Sequence, residues 1–358
     1  MKQIIVSVTN DLVNDQRVHK VCTTLTQANY DVLLIGRKLK TSKNLKRDYK
    51  TYRFQLLFKK GFLFYAEYNL RLFIKLLFIA KKNNILLSND LDTLLPNFMM
   101  SKLLQIPLVF DSHELFSELP SIRGRYSQKV WRFLENWLVP KQKYFFTVSG
   151  SIANWFYENY GVKPLVLKNF PRYKNTPFKE AQHKYILYQG SLNKGRGLLA
   201  LIKAMQTIEI PLKIAGEGPY KSKIEKKIIE LKLENKVLLL GNLDPEKLVL
   251  ITQNATLGIS LEEDLGLSYR YSLPNKLFDY IQAKTPVLAT YLPEIKNVVE
   301  SYKVGEIIED HSPKNIVKGI SKILENGKYY YQLNLEEASK ELIWENQEKM
   351  LLSFFRNI

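Results

Sequence analysis

Thirteen short apolar runs, mostly leucine-rich or β-branched and separated by stretches of helical periodicity, constrain this sequence more than any other feature. In the first half they fall at residues 3–8, 31–35, 52–57, 85–88, 107–110, 144–148 and 165–167. In the second half they fall at 185–188, 212–215, 237–240, 257–260, 287–289 and 305–308. Helices are predicted between most of them, among others over 16–28, 151–160, 197–205, 221–231 and 274–283. Near-continuous apolar strands spaced by helices are the mark of parallel sheets covered on both faces, an α/β architecture. Ligands of such sheets sit beyond the carboxyl ends of the strands, so the loops that follow strands are where chemistry is to be sought.

A chain of 358 residues is long enough for two cores. Residues 168–184 include Pro171 and Pro177, show no clear period and precede a new strand, as a linker would. The expected division is a first domain over 1–168, a linker over 169–184 and a second domain over 185–337. The one cysteine, Cys22, falls in a helical pattern with Val18 and Leu25, which predicts a buried thiol and a reducing compartment, hence a cytoplasmic protein. The apolar run Ile4 to Val8 is too short for a signal-peptide core and reads as a strand. The stretch 62–80 is interrupted by Glu67, Asn69, Arg71 and Lys75, whereas a spanning helix needs roughly 20 mostly apolar residues. No membrane span is expected.

The net charge of +18 is unevenly placed. Residues 1–168 hold 26 Lys and Arg against 12 Asp and Glu, while residues 169–358 hold 27 against 23. Such a concentration points to nucleic acid, an anionic membrane surface or an anionic substrate. No zinc, RNP or helix-turn-helix signature supports nucleic acid, so that partner is set aside.

Several polar loops follow predicted strands. Residues 188–197, Tyr-Gln-Gly-Ser-Leu-Asn-Lys-Gly-Arg-Gly, leave a strand and open a helix, where backbone N–H groups and the helix N-terminus favour an anion. Lys194 and Arg196 add positive charge there, but the dinucleotide-binding Gly-x-Gly-x-x-Gly spacing is absent. A second loop, Gly216-Glu217-Gly218-Pro219, follows the next strand. After the strand ending near Ser260 come Glu262, Glu263 and Asp264, and then a helix opened by Pro274 that carries Lys276 and Asp279. Lys276 and Asp279 are three apart, on one helical face near its positive end, suited to a phosphate and to ribose hydroxyls respectively. In the first half, Asn10-Asp11 with Asn14 to Arg17, Asn89-Asp90 with Asp92, and Asp111 to Glu114 follow three strands and mark one rim of a cleft. His113 sits there between carboxylates.

Together the segments 14–18, 111–116, 190–192, 195–197, 216–219 and 274–280 resemble family 4 of the retaining glycosyltransferases, of the group 1 type, from the first strand to about Gly305. That resemblance implies the GT-B fold: two Rossmann-like domains whose parallel sheets face across a cleft. The first would bind the acceptor and the second a nucleotide sugar, with a final helix over about 338–358 returning to the first domain. It implies a retaining hexosyltransferase that moves a sugar from a nucleotide-diphosphate sugar to a saccharide or lipid-linked acceptor, in cell-surface glycan synthesis (capsule, exopolysaccharide or lipopolysaccharide). No metal or cofactor is implied. Carried over by position, Arg196 and Lys276 would hold the diphosphate and Asp279 the ribose, where the family has a glutamate. Gly190, Ser191, Gly216, Glu217 and Glu262 would line the donor, the choice among Glu262, Glu263 and Asp264 staying open, and Gly241, Asn242 and Leu243 would meet the base. His113 or the Asn89-Asp90 loop would position the donor sugar, with Asn10, Asn14, Arg17, Asp90 and Glu114 on the acceptor side. Two departures stand out: Ser191 replaces the family's arginine, and Tyr271 stands where the first of its two spaced glutamates belongs. The alternatives are a nucleotide-sugar 2-epimerase of the same fold or an inactive scaffold.

The acceptor domain carries one further signal. At 100° per residue Lys60, Glu67, Arg71, Lys75 and Lys82 fall within about 80° of one another, and the rest of that helix surface is apolar. Burial against the sheet and docking on an anionic membrane are both open from sequence.

Overall fold

The apolar runs fold as two parallel sheets in a computed structural model that describes residues 2–13, 15–180 and 183–358. The chain divides into one unit of Met1–Asn169 with Gln347–Ile358 and another of Phe170–Asn346. The division falls at the start of the expected linker, where Phe170 is already buried in the second core.

In the first unit the described residues form β1 (Gln3–Asp11), β2 (Asp31–Arg37), β3 (Lys50–Phe54), β4 (Ile85–Asn89), β5 (Leu108–Ser112), β6 (Tyr144–Thr147) and β7 (Leu165–Val166). They lie in the order β3-β2-β1-β4-β5-β6-β7, every neighbouring pair parallel. The register sets Val6 opposite both Leu34 and Leu87, and Ile4, Ile5 and Val6 have no exposed surface. Helices α1 (Gln16–Gln27), α2 (Gly61–Ile79), α3 (Leu94–Leu104), α4 (Tyr126–Leu138) and α5 (Gly150–Tyr160) connect the strands. Asp15 caps α1 by accepting from the Val18 N–H, and Ser149 caps α5 in the same way from Ile152.

In the second unit the strands are β8 (Ile186–Gln189), β9 (Leu212–Ala215), β10 (Val237–Gly241), β11 (Leu257–Ser260), β12 (Val287–Thr290) and β13 (Gly305–Ile308). Their order is β10-β9-β8-β11-β12-β13, again all parallel. The helices are α6 (Leu198–Ala204), α7 (Lys221–Glu230), α8 (Pro245–Asn254), α9 (Leu267–Arg270), α10 (Asn275–Gln282), α11 (Pro293–Tyr302), α12 (Pro313–Asn326) and α13 (Gln332–Glu341), followed by α14 (Trp344–Arg356), of which only the first three residues fall in this unit.

The single helix expected over about 338–358 is two, α13 and α14. The Trp344 N–H donates to the Pro171 carbonyl at 2.7 Å instead of continuing the helical ladder, and Leu342 leaves helical geometry with ψ 63°. The greater part of α14 belongs to the first unit. There Gln347 accepts from the Lys168 N–H, Glu348 accepts from Thr24, and Phe354 packs 4.1 Å from the Phe146 ring. Among the described residues no helix is long and apolar enough to cross a membrane.

Candidate active site

Each sheet reverses its direction of winding once: between β1 and β4 in the first unit, and between β8 and β11 in the second. Loops diverge at such a switch point and open a crevice at the carboxyl ends of the strands. The candidate residues gather at these two places.

In the second unit Gly190 follows β8 with φ +126°, a conformation that L side chains rarely adopt, and a Cβ there would lie 3.5 Å from the Lys276 side chain. Gly216, after β9, has φ +149°, and a Cβ on it would stand 1.9 Å from the Gly190 carbonyl oxygen. The two loops can touch only because this position has no side chain. Arg196 leaves the first loop, Glu262 follows β11, and Lys276 lies in the first turn of α10. The three side chains converge. Glu262, fully buried, places Oε1 3.1 Å from Lys276 Nζ and 3.4 Å from Arg196 Nη1, while its Oε2 accepts from Ser260 at 2.7 Å. Burial would raise the Glu262 carboxyl, but the charges of Lys276 and Arg196 and the Ser260 hydroxyl outweigh it and hold it below the usual range.

Lys276 Nζ also lies 4.1 Å from the Tyr188 ring centroid, and Arg196 lies 5.2 Å from that of Tyr269. Although buried, Lys276 Nζ has no well-aligned hydrogen-bond acceptor, its contact with Glu262 being one of charge. The cluster of two cations and one carboxylate carries a net positive charge at a strand-end crevice, which suits a phosphate group.

The other donor-side candidates separate clearly. Asp279 is exposed on α10 and accepts from Gln189 Nε2 at 3.1 Å; Gln189 in turn accepts from Thr252 at 2.7 Å. Ser191 is exposed, and its carbonyl accepts from the Tyr188 hydroxyl. Glu217 pairs with Lys221 at 2.8 Å. Gly241 ends β10 and accepts from the Gly216 N–H, with Asn242 exposed and Leu243 packed on the core. Of the three acidic residues left open by the sequence, Glu262 alone meets Arg196 and Lys276. Glu263 accepts from the Gly197 N–H, and Asp264 pairs with Arg270 at the surface.

In the first unit Asp111 is the fourth residue of buried β5. Arg17 grips it with a fork, Nε to Oδ2 at 3.1 Å and Nη2 to Oδ1 at 2.7 Å, and sends Nη1 to the Leu167 carbonyl. Arg17 is therefore a buried strut, not a group facing an acceptor. His113 stands between two carboxylates, Nδ1 3.3 Å from Asp90 and Nε2 3.3 Å from Asp111. Burial would lower its pKa, but Asp90 and Asp111 raise it to about 9, so the ring is an imidazolium at neutral pH. Asp111 goes the other way: burial would raise it, yet Arg17 and His113 hold it well below the usual carboxylate range.

Asp90 has φ +57°, accepts from the His113 N–H at 2.8 Å and donates its own N–H to the Asp111 carbonyl. Backbone strain and three contacts thus fix one carboxylate against one histidine. Asn10 is exposed and donates to Asp15, and Glu114 is half-buried. Asn14 lies outside the described residues.

Asp111 and Asp92, which the sequence puts on the rim loops without a role, are members of this cluster. Asp92 is buried, accepts from the Thr9 hydroxyl, and is pushed up to about 8, chiefly by burial and then by Asp90. The strand expected from sequence ends at residue 110, whereas β5 continues through Ser112 and so puts the Asp111 carboxylate inside a buried strand, where a charge needs a buried partner. Among the described residues no group of three or more His, Cys, Asp and Glu is arranged to hold a metal ion.

The family described as "Glycosyl transferases group 1" matches residues 169–341, nearly the whole second unit, including Arg196, Glu262, Lys276 and Asp279. An uncharacterised glycosyltransferase of Methanocaldococcus jannaschii is 23% identical over 63% of this chain and 60% of its own length. The N-acetylgalactosamine-N,N'-diacetylbacillosaminyl-diphospho-undecaprenol 4-alpha-N-acetylgalactosaminyltransferase of Campylobacter jejuni is 32% identical over 34% of this chain and 36% of its own. The matches therefore span less than two thirds of these curated relatives. Among solved structures, sucrose-phosphate synthase from Thermosynechococcus elongatus superposes with TM-score 0.83 at 16% identity, covering 100% of this chain and 99% of that one. HepE of Anabaena, in complex with UDP and glucose, superposes with TM-score 0.77 at 14% identity, covering 100% of both chains. At such identities the likeness shows the fold. The second unit thus matches the group 1 glycosyltransferase family, and the chain, with its two parallel-sheet units, has the GT-B fold.

Proposed function

We propose that this chain transfers a hexose, with retention of configuration, from a nucleotide-diphosphate sugar to a saccharide or lipid-linked acceptor. The observation that carries the reading is the convergence of Arg196 and Lys276 on buried Glu262 beside the glycine loop that follows β8. As the bond to the donor sugar breaks, negative charge grows on the leaving diphosphate, and two cations held in place beforehand stabilise it without reorganising. Glu262 is the group that holds them in register. Asp279, which accepts a hydrogen bond from Gln189, would accept ribose hydroxyls. His113, protonated at neutral pH, acts as a charged hydrogen-bond donor and not as a general base.

The Campylobacter relative is named for transfer to a diphospho-undecaprenol-linked saccharide, and we assign an acceptor of that chemical class, in cytoplasmic cell-surface glycan synthesis. Mass spectrometry of donor turnover across UDP-, GDP- and ADP-sugars tests the reading. One donor should be consumed in an acceptor-dependent way, and Arg196→Ala and Lys276→Ala should each lower kcat/KM by roughly 10²-fold. Epimerised free donor, or no turnover of any donor, would contradict it.

A further inference from the structure

We propose that the outer surface of α2, α3 and α4 is a docking face for a bilayer carrying anionic phospholipid. Helix α2 buries Phe64, Tyr68, Leu72 and Leu76, four residues apart on its inner side. Its opposite side carries Leu63, Leu70, Ile74 and Leu77, all exposed, with Phe62 and Phe78 exposed by 73% and 83% at the two ends. The outward face of a helix on a globular unit is ordinarily polar, so an apolar one marks a surface that something covers.

The surface continues sideways. Helix α2 packs on α3 and α3 on α4, and these expose Met99, Leu103, Phe133 and Trp137. The Trp137 ring lies 6.2 Å from that of Phe98 on α3, which ties the two helices' apolar groups together.

Charge selects the occupant. The three helices carry two acidic residues between them: Glu67, paired with Arg71, and Glu135, which is buried. Around them Lys59, Lys60, Lys81, Lys82, Lys102 and Lys141 are exposed. Lys141 Nζ sits 5.0 Å from the Trp137 ring centroid, a lysine tip beside an amphipathic ring, as at a membrane interface. A second copy of the chain docked through this face would set like charges against each other, whereas anionic headgroups complement them and acyl chains take the apolar groups. As no helix among the described residues is able to span, the proposed attachment lies in the interface plane.

Sedimentation of the full chain with phosphatidylcholine vesicles, with and without phosphatidylglycerol, at low and high salt, tests this without any sugar donor. Strong binding is expected only to the anionic vesicles at low salt, weakened by salt. The Leu70→Glu/Leu77→Glu variant should lose at least ~10-fold in partition while keeping its circular dichroism and its affinity for nucleoside diphosphate. Should that variant not fold, Lys81→Glu/Lys82→Glu, outside the helix, carries the same expectation. Equal partition of wild type and folded variant would overturn the proposal, as would failure to bind anionic vesicles. A dimer in analytical ultracentrifugation that the leucine variant abolishes, without vesicle binding, would instead show a second copy as the occupant. Nucleoside diphosphate binding that survives any of these failures leaves the donor site intact, so the two proposals fail separately.

Discussion

Two charge clusters, one in each unit, make opposite demands on their surroundings. Glu262 is ionised because two cations face it, and removing its charge leaves Lys276 and Arg196 without their buried counter-ion. Glu262→Gln should therefore cost about 3 kcal/mol in the unfolding of the second unit. Asp264→Asn, at the exposed pair with Arg270, should cost less than about 0.5 kcal/mol. Equal urea midpoints for the two variants would show that the buried cluster contributes nothing. In the first unit His113 and Asp92 both have folded-state pKa values raised above their ordinary ones, to about 9 and about 8. Their contributions are fully present below the unfolded values and are lost as pH rises through the folded ones. The first unit should then lose about 3–4 kcal/mol between pH 7 and 9, His113 contributing the larger share. Titration of the four imidazoles by NMR should find one near 9, falling towards its ordinary value in Asp90→Asn; four ordinary titrations would remove the imidazolium. The strand-end loops made Arg196, Lys276, Asp279 and His113 visible in the sequence. The choice among Glu262, Glu263 and Asp264 was not visible, because it depends on which carboxylate turns inward beneath Ser260, a matter of tertiary placement.

At the scale of elements, the strands were legible because buried parallel strands are written as unbroken apolar runs, as in Ile4 to Val6 or Ile85 to Leu87. The break between α13 and α14 was not legible, since the Pro171 carbonyl that captures the Trp344 N–H comes from a segment far away in sequence. Nor could periodicity decide which side of α2 faces the sheet, because the helix is apolar on both sides and its amphipathic signal is correspondingly weak. The return of α14 to the first unit has a measurable consequence. Phe355 is buried there beside Tyr30 and Phe146, so Phe355→Ala should destabilise the first unit by about 3–4 kcal/mol. A change below about 1 kcal/mol in the first unit's urea transition would mean that the helix end does not hold.

Over the whole molecule, charge and family likeness fall on different halves. The family match and the cluster of Arg196, Lys276 and Glu262 belong to the second unit, while the excess of lysine and arginine belongs to the first. That separation fits a division of labour in which one sheet binds a soluble anionic donor and the other turns its basic, apolar helices to a lipid surface. The central claim concerns the donor, and calorimetric titration of nucleoside diphosphates into wild type and Lys276→Met tests it most directly. One diphosphate should bind the wild type, at least ~10-fold more weakly to the variant, and less tightly in both as salt rises. Unchanged affinity in the variant, or no binding of any nucleoside diphosphate to the wild type, would contradict it.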